Sequence, residues 1–132
     1  MVGRAVVPTD TGGMFIGGGG AMFFLYKDAT DALSLKTSHP TAFQLDSSVA
    51  GISSKARIVV VRRNGASLEL RVDGESVTGT DPDGVYTMSE RMVFGSGFAG
   101  GFSWGDILLY DADLTASDFA AAEGYLKTKY GL

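Results

Sequence analysis

Three side chains in this sequence have the chemistry to hold a ligand. Asp81 and Asp83, in Asp81-Pro82-Asp83-Gly84, place two carboxylates two positions apart, and hard oxygen donors are what a calcium ion takes. Trp104 is the sole tryptophan, and an exposed indole is a common platform for stacking a sugar ring. Each also has a plainer reading. Calcium wants about six to eight oxygens, and D-P-D-G does not follow the EF-hand loop. Proline presets φ and glycine relieves the close, so the same residues spell a surface turn. A tryptophan beside glycines on a last strand is equally a core or interface residue. With only Asn64 and Gln44 as side-chain amides, the chain is poor in the groups that both donate and accept hydrogen bonds in sugar sites.

The remaining candidates for chemistry are weaker. Glycoside hydrolysis needs two carboxyl groups across one bond, one protonated and one ionised. The glutamates are Glu69, Glu75, Glu90 and Glu123; Glu69 alternates outward on a hairpin and Glu123 lies on a helix. His39 is the only histidine and there is no cysteine, so the usual zinc ligands cannot be assembled. It precedes Pro40 and reads as a turn histidine. Gly95-Ser96-Gly97-Phe98-Ala99-Gly100 spells G-x-G-x-x-G. A dinucleotide site needs a helix to begin there, and the residues that follow, FSWGDILLY, are strand-like. Gly17 to Gly20 lacks the Lys-Ser/Thr of a phosphate loop and reads as a flexible loop or a place of close backbone approach. Asp111 and Asp113 stand where acids favour a helix N-terminus. No catalytic set emerges, and no cofactor is implied beyond the calcium that Asp81 and Asp83 could take.

The elements that must position these residues are short strands. Residues 1–13 read as an N-terminal arm, punctuated by Pro8 and Gly12-Gly13. Strands are expected at 14–16, at the aromatic run 21–26, around Leu33 and Leu35, and around Phe43 and Leu45. The middle is clearest. Residues 56–63 read ARIVVVRR, Asn64-Gly65 supplies a hairpin turn, and Ser67–Val72 alternates with Leu68, Leu70 and Val72 on one side. Asp73-Gly74 is a second turn of the same chemistry, returning into Glu75–Thr80. Met92–Phe94 and residues 102–110 complete about nine strands. This is an antiparallel pattern, not alternating βαβ.

One helix closes the chain over residues 115–130. Thr115 is the N-cap with Asp118 three residues on, the spacing of a capping box. Leu114 and Phe119 fit a hydrophobic staple, Gly131 a C′ position, and Lys127 and Lys129 complement the macrodipole. Phe119, Ala122, Leu126 and Tyr130 form one apolar stripe, with Tyr125 at its margin. A helix of about 15 residues is marginal alone in water and must dock. The expected role is to cover an open edge or end of the β structure.

Composition bounds the rest. At 132 residues with 45% hydrophobic content, the chain is a single globular domain that needs no disulfide or metal to fold. Its 19 glycines are about twice the usual share, which matches many tight turns. A net charge of −4 argues against nucleic acid, and Arg62-Arg63, the only concentrated basic run, reads as a solvated turn. No apolar stretch approaches a membrane span and no apolar leader is evident. Production in a cytoplasm without export is the expectation.

RIVVVRRNGASLELRVDGESV, followed by MVFGSGFAGGFSWGDILLYDADLTASDFAAAEGYLKTKYGL, resembles the C-terminal half of concanavalin A-like, laminin-G-type jelly-roll domains of phage and bacterial proteins. Those domains often carry a strand–NG–strand–DG hairpin followed by GDI…YD..L…E.YL..KYGL. The likeness covers about residues 56–132, and residues 1–55 match much less. It implies an all-β, antiparallel jelly-roll-like β-sandwich, shortened, over residues 14–132 with the helix at its C-terminal end. Glycanase relatives carry E-x-D-x-x-E on a strand, which this sequence lacks. Some laminin-G-type relatives bind calcium through paired acids, as Asp81 and Asp83 would. The function implied is a non-enzymatic virion structural protein, a phage capsid decoration or tail or fibre component. Its partners would be other virion proteins and copies of itself. The alternative is a carbohydrate-binding module using Trp104, Asp81 and Asp83, with calcium, on surface glycans. Neither reading involves nucleic acid or membrane.

Overall fold

The computed structural model describes residues 2–5, 13–18, 21–27, 30–38, 41–52, 55–83, 92–94, 102–104, 106, 108, 110 and 112–132. It is mostly β: two antiparallel five-stranded sheets and one C-terminal helix. The strands are β1 (Val2–Ala5), β2 (Gly13–Gly18), β3 (Ala21–Lys27), β4 (Leu33–Ser38), β5 (Ala42–Asp46), β6 (Arg57–Asn64), β7 (Ser67–Val72), β8 (Glu75–Thr80), β9 (Met92–Phe94) and β10 (Phe102–Trp104). Sheet I has the order β10-β1-β6-β7-β8 and sheet II the order β5-β4-β3-β2-β9. The helix α1 runs Ala116–Tyr130. Among the described residues no helix is long and apolar enough to cross a membrane.

Turn chemistry sets the sheet I hairpins. Gly65 (φ +58°) and Ala66 lie between the paired residues Asn64 and Ser67. The turn thus sits one residue later than the sequence suggests, with glycine at its first central position as in the II′ class. Asp73 (φ +50°) and Gly74 (φ +96°) join Val72 to Glu75 in the I′ manner. Asp73 also reaches back, its carboxylate accepting the Ile58 N–H at 3.0 Å and pairing with Arg57 at 2.7 Å.

Strand β6 explains the continuous apolar run. Alternate side chains of a strand point to opposite faces, and both faces of β6 are covered. Val59 joins Leu68, Leu70 and Val72 of β7, Leu33 and Leu35 of β4, Leu45 of β5 and Ile52 in the main core, with Val61, Phe43, Val49 and Val77 packed against it. Residues of both sheets therefore share one core. Ile58 points the other way and is buried with Leu126 of α1, flanked by Val60, Ala56, Leu108 and Tyr130. Each fully buried aliphatic side chain of this kind contributes about 1.5–3 kcal/mol.

Several expectations are corrected here. Among the described residues there are ten strands where about nine are expected, because Val2–Ala5 of the segment read as an arm is a strand hydrogen-bonded between β10 and β6. Gly17 and Gly18, read as loop, are strand residues paired with Met22 and Ala21. The last strand stops at Trp104, and Asp106, Leu108 and Tyr110 are outside any strand. The helix, expected at an edge or end, packs on β6, the middle strand of sheet I, on the face opposite the core that both sheets share. Its caps are as the residues dictate. Thr115 Oγ1 accepts the Asp118 N–H at 3.2 Å, Gly131 takes φ +66°, and the Leu132 N–H reaches the Lys127 carbonyl at 3.1 Å. The Thr115 hydroxyl donates to the Asp118 carboxylate at 2.7 Å.

Candidate functional site

The sequence singles out Asp81, Asp83 and Trp104, and the fold separates them. Asp81 and Asp83 follow β8 at one edge of sheet I; Trp104 ends β10 at the opposite edge, its backbone paired with Gly3. Four strand spacings, about 19 Å, lie between those edges. One ligand cannot use all three through a compact site.

The turn expected at the surface has a buried acid at its start. The Asp81 N–H extends the β7–β8 ladder onto the Ala66 carbonyl at 2.9 Å. Its side chain is 0% exposed and pairs with Arg63 Nη1 at 3.2 Å. Its other oxygen accepts the Asp83 N–H at 3.1 Å, an Asx turn that holds Pro82 in place. Asp83 Oδ2 in turn accepts the Thr41 N–H at 2.7 Å, one residue before β5. A single corner thus ties the end of sheet I to the start of sheet II's edge strand. Both Asp81 oxygens are engaged, one of them by a guanidinium, and a divalent cation would have to displace it. Among the described residues no three acidic or histidine side chains converge on a point. These residues do not fit a calcium ion.

A second polar cluster lies between the outer face of sheet I and the start of α1. Arg62 stands directly opposite Glu69 across the hairpin and pairs with it at 3.1 Å. Arg62 Nε and Nη2 both donate to Asp113 Oδ1, at 3.0 and 2.8 Å. The hydrogen bonds that Arg62 donates to Asp113 raise the guanidinium above its ordinary value, and Glu69 adds to the effect. Arg71 reaches Glu69 at 3.4 Å and Glu123 at 3.7 Å, and the Ser76 hydroxyl donates to Glu69 at 2.6 Å. The Phe119 ring, expected in the apolar stripe, is half-buried with the guanidinium carbons of Arg71 and Arg62 at 4.7 and 5.6 Å from its centre. Arg62 and Arg63 are therefore paired strand residues, not a solvated turn. Glu69 and Glu123, two of the acids considered for glycan hydrolysis, share Arg71 between them instead of facing a gap a sugar could fill.

A third cluster fastens the far end of the helix. Lys129 Nζ donates to Asp106 Oδ2 at 2.6 Å and to the Tyr125 hydroxyl at 3.2 Å, while that hydroxyl donates to the same Asp106 oxygen at 3.2 Å. The bond from Lys129 holds the Asp106 carboxyl below its usual value, with Tyr125 assisting. Asp106 raises the ammonium in return.

Sequence reasoning passed over one motif. Gly101-Phe102-Ser103-Trp104-Gly105 spells G-x-S-x-G. A nucleophile elbow needs its serine at a sharp strand-to-helix turn, but Ser103 is the middle residue of β10, paired with Arg4. His39, Glu90, Gly95 to Gly100 and Asp111 lie outside the described residues. The Arg62–Asp113 and Asp106–Lys129 contacts span 51 and 23 positions and carry no local signal. The Arg62–Glu69 pair follows from the Gly65-Ala66 turn; a turn at Asn64-Gly65 would have set Arg62 opposite Ser67.

Comparison with protein-family models finds no match, and searches of curated proteins and of solved structures find none.

Proposed function

We propose that this chain is a non-enzymatic structural protein of a virion, a phage capsid decoration or tail or fibre component that works through protein–protein contacts. The fold that goes with this reading is a shortened, concanavalin A-like jelly-roll sandwich with its helix laid on one sheet. One observation carries the argument beyond the resemblance. The acids best placed for chemistry are spent on ion pairs within the chain: Asp81 on Arg63, Glu69 on Arg62 and Arg71, Asp113 on Arg62, and Asp106 on Lys129. Such pairs hold sheets and helix together, and what the molecule then presents outward is strand edge and surface. The same engagement of Asp81 weighs against the calcium-assisted sugar site.

The test is incorporation. An epitope-tagged copy is expressed in a phage-producing culture, particles are banded on a density gradient, and mass spectrometry counts the tagged chain. Stoichiometric recovery in the particle band is the expected result. Recovery only in the soluble fraction, or turnover in a glycan-hydrolysis screen, would overturn the reading.

A further inference from the structure

The edge of a sheet displays unpaired N–H and C=O groups, and proteins blunt it with short strands, lysine, proline or bulges. Among the described residues the edge strands β9 and β10 run three residues each and β5 runs five. Strand β8 is different. It runs six residues, E-S-V-T-G-T, with neither lysine nor proline, and its register with β7 steps evenly from Ser67↔Thr80 to Val72↔Glu75.

The phase of its free hydrogen-bonding groups follows from one bond. Asp81 gives its N–H to Ala66 of the β7 side. In an antiparallel ladder the residues that bond a given neighbour alternate, so Glu75, Val77 and Gly79 also face β7. Ser76, Thr78 and Thr80 then point their N–H and C=O groups away from the sheet. The side chains of these same three residues are exposed, small, uncharged and hydroxyl-bearing. They share a face with Glu69 and Arg71, their cross-strand neighbours.

We propose that β8 pairs antiparallel with β8 of a second copy, centred on Thr78, so that two sheets I join across a two-fold axis. The axis keeps outer face beside outer face only if residues of equal parity meet. The register centred on Thr78 does this and engages every outward-pointing group. Thr78 meets Thr78 of the second copy and Ser76 meets Thr80, giving about six backbone hydrogen bonds. Rows of facing hydroxyl side chains are favourable cross-strand pairs. The pairing deepens the assembly reading above and rests on it for its use in a particle. Its test is made in solution, so a failed dimer and a failed incorporation are told apart.

Sedimentation velocity of the full chain is run from about 1 µM to about 1 mM, the range in which a small hydrogen-bonded interface associates. A concentration-dependent dimer is expected. On dimerisation, hydrogen exchange should slow at the amides of Ser76, Thr78 and Thr80, while those of Val77 and Gly79 are protected already. Thr78→Lys adds the charge that guards natural edges. Thr78→Pro removes only an outward N–H and leaves the β7 ladder whole. Both should weaken the dimer at least about tenfold with the circular dichroism spectrum unchanged, and Thr78→Lys decides alone if the proline variant does not fold. A chain that stays monomeric throughout, a dimer undiminished in Thr78→Lys, or slowed exchange confined to other amides would overturn the proposal.

Discussion

Truncating Asp81 to alanine probes the corner that joins the two sheets. The carboxylate is 0% exposed and lies 3.2 Å from Arg63, whose side chain keeps 24% of its exposure. Unit charges at that distance attract by about 5 kcal/mol at an effective dielectric constant near 20, before either pays desolvation. Removing one partner of a fully buried pair costs about 3–5 kcal/mol. Arg63 is not fully buried, and water at its open side brings the figure down to about 2–3 kcal/mol. The Asp83 N–H also loses its acceptor, which adds about 1 kcal/mol. Asp81→Ala should therefore destabilise by about 3–4 kcal/mol, a large share of the roughly 5–15 kcal/mol that holds a domain folded. Urea unfolding followed by circular dichroism reads this as a lower midpoint at constant slope. Asp83→Ala, which removes an exposed acceptor from the Thr41 N–H, should cost only about 0.5–1.5 kcal/mol. A cycle with Arg63→Met should return a coupling above about 1 kcal/mol. If Asp81→Ala shifts stability by less than about 0.5 kcal/mol, or no more than Asp83→Ala does, the corner is not the fastening described here.

Other perturbations reach the remaining layers. Leu126→Ala empties the contact between helix and β6 and should cost about 2–4 kcal/mol by urea unfolding; a loss below about 1 kcal/mol would mean that the helix rests on its polar contacts. A Cβ at Gly79 would stand 2.6 Å from Phe43 Cζ and 2.8 Å from Leu45 Cδ2, so Gly79→Val should destabilise by about 1–3 kcal/mol. Adding Phe43→Leu should recover part of that loss. Asp106 has its carboxyl lowered in the folded state, so its contribution is present above the unfolded value of about 3.9 and fades as pH falls through the folded one. Lys129 has its ammonium raised, so its contribution is whole below about 10.4 and fades as pH climbs through the folded value. The stability gap between the parent and Asp106→Asn should accordingly be flat from about pH 5 to pH 9 and close at both extremes; a gap independent of pH across the whole range would refute the ion pair.

What the linear sequence determines here is local. The Asp73-Gly74 turn, the alternation of Leu68, Leu70 and Val72, and the Thr115 and Gly131 caps all appear where the residues place them. Positive φ, two-residue periodicity and helix-end hydrogen bonds are decided within a few positions of the chain. The run ARIVVVRR marked a strand, and only the packing showed that both of its faces are covered.

Tertiary structure decided where those elements went. Val2–Ala5 has too weak a pattern to be distinguished from a loop until β10 and β6 pair on both its sides. Nothing near Arg62 foretells Asp113, and nothing near Asp81 foretells that Arg63 would take it out of water. The helix stripe showed that a partner was needed but not which one: an edge and the middle of a face both offer apolar area. Burial of Ile58 against Leu126 settled it. Hydrophobic attraction has no direction, so the sequence can demand that a surface be covered, and only the packed chain can say by what.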